Sequence, residues 1–312
     1  MKYYNIYKDI LATFTYFNLF EYPLLKNEVF NYLAHCDDYH EFELALNNLV
    51  NDGWVFKIGN FYSIQDDCTV AVKRREGNRK AIPMLKKAKR IAKIISSFPF
   101  VKGVALSGSL SKYYADKDSD IDFFIITAAN RLWIARSFLH ALKKISFLFN
   151  MQQLFCMNYF IDEAELVILE KNIYTAIEVA TIIPLDETEI FLRFFKANRW
   201  IDTFIPNKRI CLPPNRKTKK SRLVHLIEKL FDNKHGNTFD DYLMKLTSKR
   251  WDLKSSLNKK NIKGLLLSLH TGKHFSKPGP DIFQKKLLDR YEICLAEVFK
   301  KYECPRSRIL NA

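Results

Sequence analysis

Two short clusters in the sequence carry residue types suited to chemistry. Gly108 and Ser109 follow an apolar run, Val101–Leu106, and Asp120-Ile121-Asp122 come after a ten-residue spacer, at the head of a second apolar run that ends at Thr127. In an extended strand alternate side chains share a face, so Asp120 and Asp122 project together while Ile121 points into the core. Two adjacent carboxylates repel unless a cation joins them. Magnesium answers to that arrangement, because it takes oxygen ligands and is commonly held by one or two carboxylates plus substrate phosphates. Gly108 lets the backbone approach a triphosphate closely, and Ser109 offers a hydroxyl and an amide N–H to phosphate oxygens. The chemistry these residues suggest is the handling of a triphosphate with a divalent metal.

The elements that must hold them follow from periodicity. Val101–Leu106 reads as a strand, and Ile121–Thr127 as a second, so continuously apolar that both its faces should be covered. Residues 131–149 form an amphipathic helix, and 155–161 a third strand. A basic helix precedes the set: after Pro83, the residues Leu85, Ala88, Ile91, Ala92 and Ile95 share one face and lysines the other. Helix, strand, turn, strand, helix and strand in this order describe a small α/β (α+β) unit with a mixed sheet. Beyond Pro184, helices are expected near 187–197, 223–231, 239–256 and 281–302, with a basic loop at 206–222.

The ordered combination of strand, Gly-Ser, spacer and Asp-x-Asp resembles the DNA polymerase β-like nucleotidyltransferase superfamily, especially its small bacterial members. Ser107, Leu110, Lys112, Ser119 and Phe123 fit the same pattern. The resemblance implies that Asp120 and Asp122 bind the metal, Mg2+ or Mn2+, and are catalytic, and that Gly108, Ser109, Lys112 and Ser119 contact the nucleotide. It further implies transfer of a nucleoside monophosphate from a nucleoside triphosphate to an acceptor hydroxyl, with pyrophosphate released. Such enzymes commonly carry a third carboxylate on a later strand. Here alternation along 155–162 puts Cys156, Asn158, Phe160 and Asp162 on one face, so Asn158 takes the natural third position. Asp162, from the strand end, is the preferred catalytic substitute, with Glu178 a more distant alternative. If neither serves, the site is slow or inactive. The competing function is a catalytically degenerate regulatory or nucleic-acid-binding module.

The flanking regions bear on partners. Residues 1–72 read as three helices followed by a two-stranded wing at 54–64, which resembles a winged-helix domain. Residues 73–99 form the basic linker helix, 100–205 the core, and 206–312 a basic helical region. The overall charge of +16 divides unevenly, with −6, +9, −2 and +15 in residues 1–72, 73–100, 101–205 and 206–312. The third helix of the first region holds acids and no Lys or Arg, so phosphate contact from it would be repulsive. The basic C-terminal region is then the surface expected to face a nucleic-acid acceptor, the acceptor itself being open among a small molecule, a protein side chain and an RNA end. No stretch approaches 18 uninterrupted apolar residues and the first residues do not read as a signal peptide, so no membrane association and a cytoplasmic location are expected.

Other features read as inert. The six cysteines are scattered without the close pairing of a zinc site, and are taken as reduced, buried thiols. His270 and His274 are taken as part of a solvated loop rather than a metal pair, and Arg131 as packing its stem on Trp133.

Overall fold

The structure is a computed structural model that describes all residues other than 1, 36–37, 118, 148–155, 211, 215–217, 258–268, 279–280 and 304–312. Its elements begin with α1 (Lys2–Asn18), β1 (Leu24–Leu25), α2 (Lys26–Asn31), α3 (Tyr39–Asn51), β2 (Phe56–Ile58) and β3 (Phe61–Ser63). Strands β1, β3 and β2 form a small antiparallel sheet in that order. The β2–β3 turn uses Gly59 at φ +63°, a conformation that glycine adopts without steric cost.

The long helix α4 (Cys68–Ser96) starts where Asp67 accepts from the Thr69 N–H, well before Pro83, and runs through that proline. The expectation of helix chiefly after Pro83 is corrected. Pro83 is exposed, and so is Arg79, whose carbonyl loses its intrahelical partner to the proline. Ala88, Ile91, Ala92 and Ile95 are buried as their spacing requires.

The main sheet is built from β4 (Val101–Leu106), β5 (Asp122–Thr127), β6 (Cys156–Asp162), β7 (Ile183–Pro184), β8 (Leu269–Thr271) and β9 (Phe275–Pro278), in the order β7-β4-β5-β6-β9-β8. Among the described residues only β5 and β6 pair in parallel; the other neighbours are antiparallel, so the sheet is mixed as expected. Between the strands lie α5 (Gly108–Ser111), α6 (Leu132–Phe147) and α7 (Ile173–Ala180). After them come α8 (Thr188–Ala197), a 3₁₀ turn at Arg199–Thr203, α9 (Arg222–Phe231), α10 (Lys234–Ser256) and α11 (Asp281–Glu303).

Two apolar clusters cover the faces of β5. Phe123 and Ile125 pack with α4 and α6 on one side, while Phe124 and Ile126 join a cluster on the other. The second cluster runs without a break from α7 and α8 into Ile10, Phe14, Phe42 and Leu46 of the N-terminal helices. Burial on both faces explains why β5 is apolar throughout.

The structure adds β1, α7, β7 and the β8–β9 hairpin to the elements read from the sequence. The hairpin replaces the solvated loop expected at 270–274. Its turn is closed by the Gly272 N–H donating to the Phe275 carbonyl at 2.9 Å, and it extends the sheet beside β6. No helix among the described residues is long and apolar enough to cross a membrane.

Candidate active site

The site is assembled where β4 ends and β5 begins. At the end of β4 the chain turns through Gly108, at φ +68°, into the four-residue helix α5. A β-carbon at Gly108 would stand 2.5 Å from Asp122 Oδ2, closer than real β-carbons approach any atom. The bare backbone here thus makes room for the Asp122 carboxylate. The Ser107 N–H donates to the Asp122 carbonyl at 2.9 Å, which locks the two strand ends together and leaves Asp122 only side-chain freedom.

Ile121 is 1% exposed while Asp120 and Asp122 are half-buried, so the alternation inferred from spacing places the two carboxylates as expected. Both lie near the Cys156 thiol. Burial pushes that thiol up to about 12, with Asp122 and Asp120 adding their negative charge. Asn158 Nδ2 donates to Asp122 Oδ1, and the Cys156 thiol donates to Asn158 Oδ1 at 3.1 Å. Asn158 reaches the pair through an irregularity in strand pairing. Phe123 pairs with Met157 and Phe124 with Tyr159, so Asn158 is the extra residue of a bulge in β6.

The bulge also overturns the simple alternation along β6. Met157 and Phe160 pack into one cluster, Tyr159 and Ile161 into the other, so residues before and after Asn158 are out of phase. Asp162 does not come to the Asp pair. It pairs with Thr127 at the opposite end of β5, five residues from Asp122, which is roughly 16 Å along a strand. There it is wholly buried and accepts from Asn130 N–H at 2.9 Å, Ala164 N–H at 3.0 Å and His274 Nδ1 at 2.9 Å. These contacts fasten the β5–α6 loop to the β8–β9 turn, a structural duty far from Asp120 and Asp122.

The other candidates fall as follows. Lys112 Nζ donates to the Gly108 carbonyl at 3.2 Å and to Glu178 Oε1 at 2.7 Å, so Glu178, on α7, borders the site through Lys112. Tyr174, one turn earlier on α7, has its hydroxyl raised by burial, then by the charges of Glu178 and Asp122. Ser119 Oγ donates to Asp116 at 2.7 Å and accepts from the Asp116 N–H at 2.8 Å; its present partners lie within the spacer loop. Ser109 stands on α5 beside Gly108. Tyr22 was not singled out by the sequence, yet its hydroxyl donates to the Lys112 carbonyl at 2.7 Å and so ties the N-terminal region to this loop.

The donor set suits a hard divalent cation. Asp120 and Asp122 supply carboxylate oxygens, and Gly108 leaves the space before Asp122 clear of a β-carbon, while Asn158 turns its amide N–H to Asp122 and its amide oxygen to the Cys156 thiol. Among the described residues no group of three or more His, Cys, Asp and Glu side chains is arranged to hold a metal.

Three smaller readings change. Arg131 does not pack on Trp133; it donates to Asn130, Asn233 and Asn237, and its guanidinium lies over Phe100 at 5.9 Å, while Arg136 takes the place over Trp133 at 5.4 Å. In the basic loop, 215–217 lie outside the described residues, but Lys220 is tied to the Val101 carbonyl at 2.9 Å and to Glu228 at 2.7 Å. Cys68 is exposed rather than buried, Cys156 and Cys294 are half-buried, and Cys36, Cys211 and Cys304 lie outside the described residues.

No curated protein and no solved structure gives a match to the chain. A family model does match: residues 85–188, the span that holds β4 through β7 with Gly108, Asp120, Asp122, Asn158 and Glu178, are similar to the nucleotidyltransferase domain, polymerase β-like in type, which supports nucleotidyl transfer as the general chemistry.

Proposed function

We propose that the protein is a metal-dependent nucleotidyltransferase that moves a nucleoside monophosphate from a nucleoside triphosphate to an acceptor hydroxyl. The observation that carries this reading is the close seat of the Asp122 carboxylate against Gly108, inside the span similar to the nucleotidyltransferase domain. Gly108, Ser109 and the α5 backbone would cradle the phosphates, and Lys112, released from Glu178, would add a cation to them. Asp120 and Asp122 would hold Mg2+ or Mn2+, which when bound supplies charge neutralisation and polarises the phosphoryl oxygens. The acceptor oxygen forms a bond to the α-phosphorus, the bond from that phosphorus to the bridging oxygen breaks, and pyrophosphate leaves. Asn158 can orient an acceptor hydroxyl but is no base, so the acceptor proton passes to water.

The same amide favours a second reading, a nucleotide-binding module of low turnover, because a neutral group stands where a third carboxylate would act. The winged-helix-like arrangement of β1, α2, α3, β2 and β3 would then serve protein contact. The test is turnover of each labelled nucleoside triphosphate with magnesium or manganese and candidate acceptors, against Asp120→Ala/Asp122→Ala. Loss of turnover in the variant is expected. Turnover and nucleotide binding that survive the double substitution would refute the enzymatic reading, and binding without turnover in the wild type would favour the second one.

A further inference from the structure

Gly108 and Ser109 stand on α5, a helix of four residues that ends at Lys112. Carbonyls at such an end lack partners within the helix. The Lys112 carbonyl finds one far away in the chain, in the Tyr22 hydroxyl, which donates to it at 2.7 Å. The Tyr22 ring is itself fixed. Arg74 of α4 is 2% exposed and lays its guanidinium over that ring at 3.6 Å. Arg74 in turn donates to Glu28 at 2.8 Å, to Asn78 at 2.9 Å and to the Pro23 carbonyl at 3.4 Å.

The chain beyond Lys112 is pinned as well. A β-carbon at Gly77 of α4 would stand 2.3 Å from the Tyr114 ring, so the bare helix surface there is the seat of that ring. The Ala115 N–H donates to the Gly77 carbonyl at 3.2 Å, and the Tyr114 ring meets Tyr22 edge-on at 5.8 Å. Between these anchors Tyr113 takes φ +58°, a conformation that a residue with a side chain keeps only where its surroundings fix it.

Tyr22, Arg74 and Gly77 all precede residues 85–188, the span similar to the nucleotidyltransferase domain. The loop after Gly108 is thus shaped by residues outside that span. What the loop carries is Lys112, whose ammonium donates to Glu178 at 2.7 Å and to the Gly108 carbonyl at 3.2 Å. With its backbone held, Lys112 needs only to exchange Glu178 for a phosphate. With its backbone free, the loop would have to be ordered on binding, which weakens affinity.

We infer that Tyr22 is a positioning residue for the triphosphate, acting through Lys112, and that this contact makes the N-terminal region a working part of the nucleotide site. The inference rests on the nucleotidyl-transfer reading and adds to it a residue from outside the matched span.

The test is calorimetric titration of the full chain with ATP, GTP, CTP and UTP in the presence of Mg2+ and without an acceptor, the tightest of the four being carried through the variants. Tyr22→Phe removes the hydroxyl and keeps the ring beneath Arg74. A neutral hydrogen bond corresponds to about fivefold in an equilibrium constant, so affinity should fall by about that factor. Lys112→Gln, which removes a charged donor, should weaken binding about tenfold or more. In Tyr22→Phe/Lys112→Gln the effect of the hydroxyl should vanish, because no ammonium is left to position. Tyr39→Phe is the control: its hydroxyl donates to Asn27 at 2.9 Å on the exposed side of the same region, and it should bind as wild type does. Wild-type affinity in Tyr22→Phe overturns the inference, whatever its melting temperature. So does a double variant whose losses are fully additive, which marks a hydroxyl that supports the fold and not Lys112. A wild-type chain that binds none of the four triphosphates removes the nucleotide site and the inference with it. The catalytic reading fails in a different measurement, turnover that survives Asp120→Ala/Asp122→Ala.

Discussion

Gly108→Ala tests the site where its geometry is tightest. The substitution does two things. It forces a β-carbon into the left-handed region at φ +68°, which costs about 1–2 kcal/mol for an L-residue. It also sets that carbon 2.5 Å from Asp122 Oδ2, so something must move. The Asp122 backbone cannot move easily, because its carbonyl is held by the Ser107 N–H, and the carboxylate must therefore swing away from Gly108 and from Asn158. A displacement of about 1 Å in a reacting group costs on the order of 10²-fold in rate. Gly59→Ala separates the two effects, since Gly59 has φ +63° but nothing within 4 Å of its would-be β-carbon. Both variants should lose about 1–2 kcal/mol in denaturant unfolding. Only Gly108→Ala should lose about 10²-fold in nucleotide turnover. Equal turnover in the two variants, or wild-type turnover in Gly108→Ala, would refute the reasoning.

Further expectations follow from neighbouring contacts. Asp162→Ala removes an acceptor of three hydrogen bonds and should destabilise the fold by about 3 kcal/mol or more, while nucleotide binding measured by calorimetry on the folded fraction stays as in wild type. Asn158→Asp sets a carboxylate against Asp122 in place of a donor, so its melting temperature should fall without metal and rise more steeply with added Mg2+ than that of wild type. Asp240 accepts from the Ile134 N–H at 2.8 Å, and burial raises its carboxyl to about 7 against an ordinary 3.8. The folded state then holds a proton that the unfolded state has lost between about pH 4 and 7, so stability should decline as pH rises across that window, and Asp240→Asn should flatten the decline in urea titrations. Cys156, with its thiol pushed up to about 12, should resist iodoacetamide at pH 8 while exposed Cys68 is labelled, as peptide mass mapping would show.

What the sequence determined by itself is local. The alternation of Asp120, Ile121 and Asp122, the doubly buried β5, the strand at 101–106 and the glycine at the turn all rest on periodicity and conformational freedom within a few residues, and each appears where those rules put it. What only the tertiary structure decided is non-local. A single extra residue in β6 resets the phase of the strand, so counting by two from Asn158 could not tell that Asp162 closes the far end of the sheet. The β8–β9 hairpin becomes sheet because β6 offers it an edge, a fact no window around 270–274 contains. Lys112 meets Glu178 across 66 residues, and Arg136 is buried against Phe160 of β6. Hydrophobic spacing specifies which face of an element turns inward, but which chemical groups meet there depends on pairing register and on chain segments brought together from far along the sequence.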